Sequence, residues 1–126
     1  MVNGVLVGLG VFVLSLFSII IPLAHLVTVP GGPFFAGFIG ISHVKESPDS
    51  HGVKGLKFGS FFGGVLFVIA FTAVAAFIFV FEPRQKLQVL LWFGVVVFTL
   101  YTGSMAALGA MYSSMRADRK LAQAEE

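Results

Sequence analysis

His25 is the one histidine placed within an apolar run, and an ionisable side chain there is a default candidate for function. A neutral imidazole can ligate a haem or chlorin, or hydrogen-bond a quinone. The competing reading is a packed or interfacial histidine, and it is favoured. Haem sites usually need a defined axial environment, and no second histidine lies in a spanning run to complete a pair. A second group, His43, Glu46, Asp49 and His51, puts metal-ligating types close together in a polar stretch. The spacing matches no helical i,i+4 ligand pair, and turn formers surround it, so a solvated loop is the expected state and no metal is assigned.

Pro30-Gly31-Gly32-Pro33 would expose backbone groups if it breaks a helix, as the interrupted helices of transporters do. A transporter of that kind needs a matching break in its second half, and residues 58–81 and 87–115 contain no proline. An ordinary turn is therefore preferred. No Ser–His–Asp set has a plausible placement, no span carries paired carboxylates, and no glycine-rich loop leads into a Lys-Ser or Lys-Thr step. The chain is expected not to be an enzyme and to have no catalytic residues.

The elements that would position these residues follow from charge placement. Among 126 residues, only 11% are charged against 57% hydrophobic, and mean hydropathy is +0.97. Soluble domains carry roughly a quarter charged residues. All the charges fall between Lys45 and Lys57, between Glu82 and Lys86, or from Arg116 to Glu126. Residues 2–44, 58–81 and 87–115 have none, which points to lipid as the solvent. The net charge of +2, with no dense basic patch, argues against nucleic acid as a partner. The chain lacks cysteine, which removes disulfides and thiolate sites. The first apolar run has no basic start and passes Leu26, so it is expected to be a retained helix rather than a cleaved signal.

A bilayer core of about 30 Å takes roughly 20 helical residues. The expected fold is an all-α membrane protein, a four-helix transmembrane bundle with spans near 2–27, 33–44, 55–81 and 87–115 in one domain. A polar tail, 116–126, follows and is expected to extend the last helix. The second span is short and set off by Pro and Gly, and either crosses or re-enters. Four crossings place Lys45, Lys54, Lys57, Arg116, Arg119 and Lys120 on one side, against Arg84 and Lys86 on the other. The basic-loop rule makes the first side cytoplasmic, with both termini there. A re-entrant second span would move the N-terminus outside.

Small residues mark the faces that pack. Gly4, Gly8, Val11, Ser15, Ser18, Pro22 and His25 form one stripe, and Thr99, Thr102, Gly103, Ala106, Ala110 and Ser113 form another. In lipid, helices associate through small side chains that let backbones approach. Gly32, Ala36 and Gly40 recur every four residues, as do Gly55, Gly59 and Gly63, and a polar loop joins the two segments. Those triplets are expected to pack against each other as an antiparallel hairpin. The fifteen phenylalanines suit lipid contact or packing against glycine better than a pigment pocket.

The run Gly32-Pro33-Phe34-Phe35-Ala36-Gly37-Phe38-Ile39-Gly40, the polar loop, and then Gly55-Leu56-Lys57-Phe58-Gly59-Ser60-Phe61-Phe62-Gly63-Gly64 resemble a group of known proteins. These are small, glycine-rich membrane proteins, frequent in archaea, known only as a domain of unknown function. The resemblance covers about residues 30–65. It implies a four-helix membrane domain and no known chemistry, so it assigns no site residues.

The function these features favour is a structural or accessory subunit, packing in a larger membrane complex or with copies of itself. Its partners would be the bilayer and other membrane subunits. A small oligomeric channel or transporter, lined by Ser15, Ser18, Thr99 and Thr102, is the first alternative. A haem-, chlorin- or quinone-binding subunit using His25 is the second.

Overall fold

The computed structural model describes residues 1–17, 25–44 and 48–124, without the side chains of residues 25–27, 121 and 124. Uncharged runs offer few side-chain partners to the backbone, and the helix meets every backbone N–H and C=O internally. Four α-helices and no strand appear among the described residues: α1 (Val2–Phe17), α2 (His25–Gly40), α3 (His51–Phe81) and α4 (Gln85–Ala124). A short 3₁₀ turn, Ile41–His43, closes α2. Two helical stretches, His51–Phe81 and Gln85–Lys120, are long and apolar enough to cross a membrane. The 16 residues of α1 and of α2 each extend only about 24 Å.

The turn between α3 and α4 is built by three residues. Glu82 adopts the left-handed conformation (φ 43°, ψ 52°) and its N–H bonds the Ile78 carbonyl at 3.0 Å. Pro83 cannot continue the helix, and its carbonyl accepts a 2.8 Å bond from Gln88 Nε2 in the first turn of α4. The left-handed backbone at a glutamate costs about 1–2 kcal/mol. Past residue 115 the helix continues through the polar tail to Ala124.

The expected break at Pro30–Pro33 is corrected by the structure: both prolines lie inside α2, which begins at His25. The segment before it, residues 18–24, lies outside the described residues, as does the part of the expected first span that falls there. A proline removes one backbone donor and crowds the preceding turn. Packed helices tolerate this where neighbours supply compensating contacts. Here Pro33 and Gly32 are buried, and the Tyr101 hydroxyl of α4 donates to the Pro30 carbonyl at 2.6 Å, a tie between α2 and α4 that does not replace the backbone bonds the prolines remove from the carbonyls four residues earlier.

Helix directions alternate. Gly4 lies against Gly40, and Gly8 against Ala36, so α1 and α2 are antiparallel. Pro30 meets Tyr101 and Phe38 meets Tyr112, so α2 and α4 run parallel. Gly55 meets Met111 and Phe71 meets Trp92, so α3 and α4 are antiparallel. The close neighbours are α1 with α2, α2 with α4, and α4 with α3. On the remaining side, Phe58 and Phe62 of α3 fill the space between α3 and α1. Both are fully buried; Phe58 reaches Gly8 and Gly40, and Phe62 meets the ring of Phe12 edge-on at 6.2 Å.

Candidate functional site

The residues expected to pack the bundle do lie at helix seams, but not against each other. Gly32 faces Phe12 and Ser15 of α1; a Cβ on Gly32 would collide with the Ser15 hydroxyl. Ala36 is fully buried, and its carbonyl would stand 2.9 Å from a Cβ on Gly8. Gly40 and Gly4 form a reciprocal pair, each carbonyl 2.6 Å from where the other's Cβ would be. The second triplet turns to α4. Gly55 meets Ala107 and Met111, Gly59 meets Gly103 and Ala107, and Gly63 meets Gly103 and the Thr99 carbonyl. The expected hairpin between the triplets is therefore corrected, since α2 and α3 scarcely touch. The first triplet pairs with the stripe of α1 and the second with Thr99, Gly103, Ala107 and Met111 of α4, and a small residue accepts any partner whose backbone comes close.

The tightest approach is one that spacing did not single out. Gly37 and Gly109 bring α2 and α4 together. A Cβ on Gly37 would run into the Ala106 carbonyl, whose carbon would lie 2.7 Å away; one on Gly109 would run into the Phe34 carbonyl. Carbonyls pointing at glycine Cα atoms are the arrangement in which weak Cα–H···O contacts form. The signal was present in Ala36-Gly37, two small residues about 100° apart on the helix, which give α2 two packing faces instead of one.

Two hydroxyls in the seams bond carbonyls of their own helices. Ser15 Oγ donates to the Phe12 carbonyl at 2.6 Å, and Thr102, 1% exposed, donates to Phe98 at 2.8 Å. The Thr99 hydroxyl is buried with no partner among the described residues. Ser18 lies outside them.

His25 is the first residue of α2, and its side chain is outside the described residues. The histidines of the polar stretch separate. His43 Nδ1 lies 3.2 Å from the Ile39 carbonyl and 3.2 Å from Ser42 Oγ. His51 Nε2 meets Asp118 Oδ2 of α4 at 3.0 Å, and Lys57 Nζ donates to Asp49 Oδ2 at 2.6 Å. Glu46 is outside the described residues, and no three ligand-type side chains gather among those described. The pairing of His51 with Asp118 joins the start of α3 to the extension of α4, and no local spacing announces a pair 67 positions apart (118 − 51).

These polar contacts all lie at one end of the bundle, where the end of α2 and the start of α3 meet α4 near Met111 and the start of α1 lies against the end of α2. At this end α4 also lines an open recess with Tyr112, Met115, Arg116 and Arg119. No known protein family, curated protein or solved structure matches the chain.

Proposed function

We propose that this chain is a membrane-embedded structural or accessory subunit, a helical bundle whose work is to pack against a larger membrane assembly or copies of itself. The observation that carries the membrane part is an inverted distribution of size. Glycine, alanine and threonine occupy the seams, whereas Leu14, Phe17, Leu56, Phe79, Phe81, Phe93 and Leu100 are all at least 65% exposed. Water would penalise such a surface, and lipid does not. The apolar stretch of α3 that could cross a membrane has only 6% of its residues buried inside the chain, so its hydrophobicity is not that of a soluble core.

The subunit part is supported by what the interior side chains do. Ser15 and Thr102 satisfy themselves on their own backbones, and glycine carbonyl contacts hold the helices together. The basic end carries Lys54, Lys57, Arg116, Arg119 and Lys120, against Arg84 and Lys86 at the other, which favours a cytoplasmic basic end. Met1 bonds within α1 at that same end, which supports the reading with the start of α1 and the extension of α4 on one side.

Washing native membranes with alkaline carbonate and solubilising them in mild detergent tests both parts. The chain is expected to stay with the membrane and then to migrate well above its own 13.5 kDa after correction for detergent. Release by carbonate overturns the membrane reading. A lone monomer in several mild detergents overturns the subunit reading.

A further inference from the structure

The recess on α4 has the chemistry of a lipid headgroup site. Tyr112, Met115, Arg116 and Arg119 recur at helical spacing and line it together. Arg116 and Arg119 are exposed, and the ion pairs among the described residues are made by other groups. The carboxylate nearest in sequence, Asp118, is turned to His51 across the α3–α4 seam. Two guanidiniums one turn apart therefore face outward with no carboxylate bound to either among the described residues. Guanidinium forks match phosphate oxygens, and a phenol beside them adds a donor.

Immediately above, the surface becomes aromatic. Tyr112 is 54% exposed and its ring lies 6.1 Å from Phe38 and 6.4 Å from Phe34, across the α2–α4 seam. A polar cationic floor under an apolar aromatic wall is two-part, like a phospholipid at the edge of a bilayer. Tyrosine also sits well at that boundary.

The geometry points to a binding site for an anionic phospholipid, its phosphate held by Arg116 and Arg119 and one acyl chain lying along Phe34, Phe38 and Tyr112. Charge complementarity selects this occupant: a zwitterionic lipid would bring its own cation against the two arginines. This inference rests on the membrane reading proposed above.

Native mass spectrometry of the full-length protein in mild detergent, titrated with phosphatidylglycerol or phosphatidylcholine, tests it. Phosphatidylglycerol is expected to be retained in preference. The double variant Arg116→Gln/Arg119→Gln should lower its apparent affinity on the order of twenty-fold, from about five-fold per basic residue. Arg116→Lys/Arg119→Lys should keep most of the preference, and Arg84→Gln/Lys86→Gln, at the other end of the bundle, should keep all of it. Equal retention of the two lipids overturns the site, as does undiminished phosphatidylglycerol binding by the glutamine variant. Carbonate extraction is read on the native membranes from which the protein is then solubilised. A chain that stays in the membrane without headgroup preference loses this site alone, and a chain that leaves the membrane loses the reading beneath it.

Discussion

The two ends of the molecule are built on opposite rules. At the end containing Gly4, Gly40, Gly55 and Met111, four helices meet, and backbone carbonyls approach to where a single added carbon would collide. At the other end, α3 and α4 run on as a hairpin in which no residue from 67 to 94 is buried. Aromatic rings touch there, Phe71 with Trp92 at 4.8 Å and Phe77 with Phe81 at 4.8 Å, yet none of the four is buried. The glycines divide by face rather than by end, for Gly52 in the first turn of α3, at the packed end, would also meet nothing within 4 Å. Gly37, Gly59 and Gly109 have no room for a Cβ, whereas Gly64 and Gly94 would meet nothing within 4 Å. Glycine frequency alone therefore says little about packing; the face on which a glycine falls decides its role.

That contrast can be broken most forcefully at the α2–α4 seam. Gly37→Leu drives a side chain into a carbonyl that belongs to another helix and cannot rotate away. The expected loss is about 3 kcal/mol or more, read as a large fall in Tm in detergent. Gly94→Leu, in open space, should hold Tm or raise it slightly, because leucine is the better helix former by roughly 0.5–1 kcal/mol. Equal damage from both would erase the distinction between the ends.

Phenylalanine gives the next test. Phe58 is 0% exposed and fills the gap between α1, α2 and α3, whereas Phe79 is 86% exposed. Phe58→Ala should cost about 3 kcal/mol, largely for the void it leaves, and Phe79→Ala should fall within about 0.5 kcal/mol. Detergent-dependent unfolding of both variants checks this. The smallest effect is expected at the polar margin. Lys57 and Asp49 pair at 2.6 Å but remain partly exposed, so Lys57→Gln should cost less than about 1 kcal/mol and lose even that in high salt.

What could be read in advance was what charge alone dictates. The cluster Glu82–Lys86 located the turn between the long helices, since ionic side chains and Pro83 are incompatible with an apolar helix interior. The stripes at Gly4, Gly8 and at Thr102, Ala106, Ala110 turned out to face the bundle, because small residues at helical spacing leave few other uses for that face. Partner choice was not legible. Gly32, Ala36 and Gly40 present a groove that fits any close backbone, and only the packing of all four helices decides that α1 occupies it. Pro30 and Pro33 are a related case: their local penalty is real, yet both lie inside a helix that packs against α1 and is tied to α4 through Tyr101, contacts a local reading does not contain. The recess at Tyr112 and Arg116 is lined by α4 alone, and what no reading of α4 by itself supplies is the rings of Phe34 and Phe38 against Tyr112.

The placement of α2 between α1 and α4 also imposes an order on biogenesis. Its first neighbour has already been made when α2 leaves the ribosome, but Tyr101, Ala106 and Gly109 come more than sixty residues later than Gly40. Until then a short, proline-bearing segment must wait with one flank unclaimed. The nascent chain thus cannot complete its interior one helix at a time, and α4, made well after α2, locks it into position.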